Sequence, residues 1–256
     1  MALKAAETAL QLYTVREALA DDFDGVVRRI ADIGYAGVEP ALGLLGATPA
    51  EAGKLFRKLG VQVPSAHTPL PVGAEVDMVL EAMDALDCRR IVSGKGPESF
   101  QTLDQIRSTC DLFNEAHAIA QANGLSFVIH NHWWEFEEVE GRYPYRVLLE
   151  HLDPGILFEI DTYWVRTAGL DPAEVVKEFG ERATLLHIKD GPAVKGAPQV
   201  AVGEGVLDVP AIVEASKGRA EWFIVELDAC ATDMMEAVEK SYRYLVEGGL
   251  ARGREG

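Results

Sequence analysis

Basic residues are scarce. The 256-residue chain carries 24 Lys and Arg against 41 Asp and Glu, a formal net charge of −17. Such a surface repels phosphate backbones, so no nucleic-acid partner is expected. Acidity of this degree favours solubility and suits a cation-binding site. Cysteine is scarce too: Cys88, Cys110 and Cys230 are odd in number, far apart and form no CxxC pair. That argues against a disulfide framework and makes the reducing cytoplasm the expected location. No run approaches the ~18 apolar residues of a membrane span, and MALKAAETALQLYT at the N-terminus lacks a secretory apolar core. No membrane partner is expected. There is no P-loop, no GxSxG and no Ser/Gly-rich linker, and VGEGVLD at 202–208 lacks the dinucleotide-binding spacing.

What the chain does have is an alternation of short apolar runs and helical patterns from end to end. Strand-like runs fall at residues 9–13, 37–39, 62–64, 90–92, 126–130, 156–160, 184–188 and 222–226. Their spacing, roughly 25 to 40 residues, is that of one βαβ step. Helix starts are marked by capping boxes at Thr48-Pro-Ala-Glu51, Asp171-Pro-Ala-Glu174 and Thr102-Leu-Asp-Gln105, and helix ends by Gly60, Gly124 and Gly180. Asp208 reads as a further helix cap. An apolar fraction of 48% is enough for a sizeable core. We therefore expect one α/β domain over residues 1–256, a (β/α)8 TIM barrel, with an open doubly wound sheet as the alternative. The one long irregular stretch, 191–205, has a length often tied to function.

A barrel collects its chemistry at the C-terminal ends of its strands. There the sequence places His130, Asp161, His187 with Lys189 and Asp190, and Glu226 with Asp228. Taken singly, each is an ordinary hydrogen-bonded histidine or a helix-capping aspartate. Taken together, four successive strands deliver two imidazoles and two carboxylates to one rim, a shell for a divalent metal. Lys189 shares a face with His187 and can steady an enediolate, shuttle a proton or bind phosphate; a rim salt bridge with Asp190 is the structural alternative. Gln11, Arg16, Glu39, His67, Ser93 and Lys95 stand at other strand ends as polyol contacts or structural residues. Trp133, Trp134, Tyr163 and Trp164 either stack on sugar rings or cap the barrel.

These segments carry a resemblance. LQLYTVREAL, HNHWWEF, EIDTYWV, LHIKD, VGEGVLDVPAI and VELD, in that order, resemble the sugar phosphate isomerase/epimerase family of xylose isomerase-like barrels. The resemblance implies one divalent metal, manganese first, with Mg2+, Co2+ or Zn2+ as alternatives, held by Glu, Asp, His and Glu on strands five to eight. Asp161, His187 and Glu226 match the last three; His130 stands where the first Glu is usual. The resemblance also implies proton transfer beside a carbonyl, with Glu226, Lys189 and Glu135 as catalytic candidates and His67, His132, Trp164 and Gln11 as substrate contacts.

A His-Asn-His subgroup and the inosose dehydratases are similar at this place. The expected function is thus a metal-dependent isomerase or epimerase of a keto-sugar or polyol-derived substrate, with a dehydratase as the alternative. A non-catalytic sugar-binding barrel and a repair endonuclease follow behind. The partner is a small sugar or polyol, and a homo-oligomer is allowed.

Overall fold

A computed structural model describes residues 5–44 and 46–254. It holds an eight-stranded sheet: β1 Glu7–Gln11, β2 Gly37–Glu39, β3 Ala66–His67, β4 Arg90–Ser93, β5 Ser126–His130, β6 Leu157–Asp161, β7 Ala183–Ile188 and β8 Trp222–Val225. Every strand pair is parallel, and the order β2-β1-β8-β7-β6-β5-β4-β3 wraps into a barrel. The outer layer is α1 Phe23–Ile33, α2 Pro49–Leu59, α3 Val76–Leu86, α4 Leu103–Ala122, α5 Pro144–His151, α6 Pro172–Phe179, α7 Val209–Ser216 and α8 Met234–Val246. Among the described residues no helix is long and apolar enough to cross a membrane. Cys88, Cys110 and Cys230 are free.

Two strands differ from the sequence reading. β1 begins earlier than expected and gives way after Gln11 to a 3-10 turn at Leu12–Val15, so Tyr13 leaves the ladder. The third run is split. Gln62 pairs with the β2 segment, donating to Ala36 O at 3.0 Å and accepting from Val38 N at 2.9 Å. Pro64, which has no amide to give, interrupts the ladder. Pairing resumes at His67, whose amide donates to Pro40 O at 2.8 Å. These bonds close the barrel between β2 and β3.

The expected helix signals act as caps. Thr48 and Glu51 form a reciprocal capping box, Asp171 accepts from Ala173 N and Glu174 N, Thr102 accepts from Gln105 N, and Asp208 accepts from Ala211 N. Outward strand residues such as Val38, Ile91, Phe127, Phe158, Leu186 and Phe223 join the helices in the main core. Inward residues form a smaller apolar plug that includes Ala9, Val92, Val128, Leu185 and Ile224. Two residues further along four of these strands, on the same face, the inward side chains turn polar: Gln11, His130, His187 and Glu226. A register shift between β6 and β7 skips Thr184, which sets Asp161 opposite His187. Such bulges often re-aim side chains near sites.

The long segment after β7 is pinned rather than loose. Asp190 does not pair with Lys189. Its carboxylate accepts the amides of Gly191, Gly203, Gly205 and Leu207 at 2.8 to 3.1 Å. A Cβ on Gly205 would strike the Asp190 carboxylate and the Gly191 amide, so the turn needs glycine there. Asp190→Ala leaves these amides without their acceptor, each costing about 1–3 kcal/mol where water cannot replace it. We expect a loss of about 3 kcal/mol or more in urea unfolding at unchanged m-value; a loss under about 1 kcal/mol would contradict the anchoring role.

Candidate metal and active site

The polar ends of the strands converge on a cavity of about 280 Å³ lined by Gln11, Tyr13, Ala41, His67, His130, His132, Lys189, Glu226 and Asp228. His130, Asp161, His187 and Glu226, the set read from the sequence, each offer a ligand atom within 4.8 Å of the others. A second set, His67, His130, Glu159 and His187, meets the same limit and shares both imidazoles. Glu159 was not foreseen. It lies inside β6 rather than at its end, yet by strand alternation it shares the face of Asp161, and it is paired in register with His130. It is fully buried.

Lys189 sits at the carboxylate side of this cluster. Its ammonium is 1% exposed and lies 2.9 Å from Asp161 Oδ2, 2.6 Å from Glu226 Oε2 and 2.9 Å from Asp228 Oδ2. Burial by itself would lower the ammonium pKa, but these carboxylates outweigh it and raise it well above the ordinary value. Burial likewise pushes Glu226 up, while Lys189 and then His187 pull it net well below the usual carboxylate range. Glu226 is thus held ionised. Asp161 is pushed up to about 6 by burial, against Lys189 and His187. Its Oδ1 caps the short helix Thr162–Thr167 through Trp164 N at 2.9 Å.

The imidazole side is built on two further carboxylates. His67 Nε2 lies 2.7 Å from Glu159 Oε2 and 3.3 Å from Glu39 Oε1. His187 bridges Glu226 through Nδ1 and Glu39 through Nε2, both at 2.8 Å. Burial would lower His67, but Glu39 and Glu159 raise it to about 10. His187 is raised well above its ordinary value as Glu159 and Glu226 overcome burial. His130 stays neutral: burial lowers it, only partly opposed by Glu159. Glu39 ends β2 as the sequence suggested, but it faces the histidines and is fully buried. It is held by Ser65 Oγ and by Gln11 Nε2, the latter at 2.7 Å.

The expected substrate contacts separate into lining and supporting groups. His67 and His132 line the cavity. β5 stops at His130, but His132 still turns inward, edge-on to His130 and stacked on Trp134 with centroids 4.2 Å apart. Between the two histidines, Asn131 accepts from Asp161 N at 3.0 Å and donates to Asp161 O at 3.3 Å, tying the ends of β5 and β6 together. Gln11 borders the cavity, but its amide is engaged at both ends, to Glu39 and from Tyr13 N. Trp164 is buried behind Lys189, whose ammonium lies 5.3 Å from its ring centre. Glu135 is 1% exposed and lies beneath the His132 turn, accepting His132 N at 2.9 Å. Trp133, Trp134 and Trp164 pack against one another over this end, with Tyr163 against Trp164.

The donor chemistry fits a divalent cation. Glu159 Oε1 is buried without a hydrogen-bond partner, and Asp161 Oδ2 has only the ion pair to Lys189. Glu159 Oε1 is thus the orphaned acceptor beside buried imidazoles, and a bound cation would stabilise it.

The profile of the xylose isomerase-like TIM barrel family matches residues 27–247. Among solved structures, a sugar phosphate isomerase/epimerase from Parabacteroides distasonis superposes with a TM-score of 0.82 at 25% identity, over 97% of this chain and 96% of that one. The probable 3-DHS dehydratase AsbF from Bacillus anthracis gives 0.75 at 11% identity, over 93% and 98%. The IolI protein with a zinc atom gives 0.74 at 13%, over 94% and 97%. At that identity the last two show a common fold alone. No curated protein sequence matches the chain.

Glu135 supplies a pH test. Burial pushes its carboxyl from the ordinary 4.5 up to about 8, with the His132 amide opposing. The folded state therefore binds a proton that the unfolded state has released between those values, and stability falls as pH rises through that window. Glu135→Gln keeps an acceptor for the His132 amide and removes the titration. Its Tm relative to wild type is expected to rise from pH 5 to pH 8; a parallel pH course in both proteins would refute the buried neutral carboxyl.

Proposed function

The chain belongs to the xylose isomerase-like TIM barrel family, and from that premise we propose that it is a metal-dependent isomerase or epimerase of a keto-sugar or polyol-derived substrate. The observation that carries this reading is the ionised Glu226 carboxylate beside the buried Lys189 ammonium, both lining the cavity next to His130. His130 and His187 belong to both ligand sets, so a cation bound here rests on them. Manganese is the first expectation, and the cation would supply positive charge to polarise a substrate carbonyl.

The chain's own groups divide the remaining work. Glu226 is the base that takes the proton from the carbon beside the carbonyl. Lys189 directs its ammonium at the oxygen where negative charge grows, in a site from which water is largely excluded. His67 and His132, at the cavity wall, bind substrate hydroxyls and set its orientation. Glu135 acts through the His132 turn, and Trp164 and Gln11 hold Lys189 and Glu39 in place. Return of the proton completes isomerisation or epimerisation.

A dehydratase is the second reading. His130 stands where the resemblance places a glutamate, and its imidazole is neutral and bonded to Glu159. That leaves one carboxylate, not two, to move protons across the substrate, a poorer fit to epimerisation and a sufficient one for loss of water. Incubation of keto-sugars and keto-inositols with Mn2+ in D2O separates the readings. Deuterium gain without loss of water supports isomerisation; loss of water supports dehydration. Glu226→Gln is expected to lower kcat by about 10²–10⁴-fold with the fold intact, the usual worth of a general base. Full activity in that variant sinks the assignment of the base.

A further inference from the structure

Two ligand sets share His130 and His187, and the positions of Lys189 and Glu159 decide between them. In the outer set, the oxygens of Asp161 are both taken: Oδ1 caps Thr162–Thr167 and Oδ2 faces the Lys189 ammonium at 2.9 Å. Glu226 Oε2 is 2.6 Å from the same ammonium. A cation between Asp161 and Glu226 would have to displace a positive charge that already sits there. Among the described residues no lysine or arginine pairs with the inner set, and its imidazoles release any ring proton to the cation they bind. Three ring nitrogens, His67 Nε2, His130 Nδ1 and His187 Nε2, converge on Glu159 Oε2 at 2.7, 3.0 and 3.1 Å.

Bonds of ~2.0–2.2 Å to a four-coordinate ion put donor atoms about 3.3 Å apart, so these three contacts need to open by only a few tenths of an ångström. Glu159 Oε1 is buried and without a hydrogen-bond partner. Glu39 Oε1 adds a donor 2.8 Å from His187 and 3.3 Å from His67, and Gln11 and Ser65 fix its orientation as outer partners of a ligand do. Charge agrees: a divalent ion balances the two carboxylates Glu39 and Glu159, while Lys189 serves Asp161, Glu226 and Asp228.

We infer that the cation is held by His67, His130, Glu159 and His187, with Glu39 beside them, and that the Lys189 ammonium takes the place of a metal between Asp161 and Glu226. The inference rests on the metal-dependent reading and changes which side chains serve it. It leaves Glu226 off the metal and able to carry a proton. Three imidazoles favour a first-row transition ion over magnesium.

The test is direct metal binding, read as bound stoichiometry after dialysis and as affinity for Co2+ in competition with a chelator. His67 and Glu159 belong only to the inner set, Asp161 and Glu226 only to the outer. His67→Gln and Glu159→Gln are expected to weaken binding by about 100-fold or more, and Asp161→Asn and Glu226→Gln to keep one ion. Circular dichroism identifies any variant that fails to fold, and each set has a second member to stand in for it. Retention of the ion in folded His67→Gln or Glu159→Gln overturns the assignment, as does its loss in folded Glu226→Gln or Asp161→Asn. If the wild type binds no stoichiometric ion, the metal-dependent reading itself fails and takes this inference with it.

Discussion

Burying negative charge is the constraint around which this barrel end is built. Glu39, Glu159 and Asp161 are fully buried and Glu226 is 6% exposed. A carboxylate in such a place is stable only if opposite charge and hydrogen bonds replace the water it has lost. Lys189 answers the carboxylates of β6 and β8; the histidines of β3, β5 and β7 answer those of β2 and β6. The neutral residues then find their purpose. Gln11 and Ser65 aim Glu39, and Asn131 fixes the backbone of Asp161. Removing a charged member leaves its counterpart in the interior unbalanced, so the site stands or falls as a connected unit.

Much of this was legible in the chain. The spacing of apolar runs, the proline and threonine at helix starts and the polar residues that end strands five to eight are local signals, and each corresponds to an element of the fold. What escaped notice was the depth of the site. Glu159 interrupts the apolar run LFEID as a charged residue two positions before Asp161. Strand alternation places both on one face, and that was the signal available. Glu159 lies inside the strand, at the penultimate inward position, whereas a barrel's chemistry is expected at the strand ends. Gln11 and Glu39 were visible at their strand ends, but nothing local says that each is consumed by a neighbour across the barrel. Such pairings join residues 28 and 148 positions apart in the chain. The role of Asp190 was also hidden, because its partners are the backbone amides of three glycines and a leucine, which leave no side-chain pattern.

The arrangement separates charge by depth. At the floor, imidazoles alternate with carboxylates; above them stands the lysine with its three carboxylates, and His132 and Tyr13 line the cavity beside them. His187 touches both levels, with Nδ1 toward Glu226 and Nε2 toward Glu39. A change at one level is therefore felt at the other through a single ring.

The pinned segment after β7 bears on how molecules come and go. A loop of this length over an active site is commonly a hinged cover, but one anchored at four amides by a buried aspartate has no separate open state at low cost. Its Lys195 also pairs with Glu137 on the far side of the β5 turn, closing that flank. On the other side the cavity wall is formed by Tyr13 and Ala41, in the short segments after β1 and β2. The segment is thus part of the fixed frame of this barrel end rather than a cover laid over it.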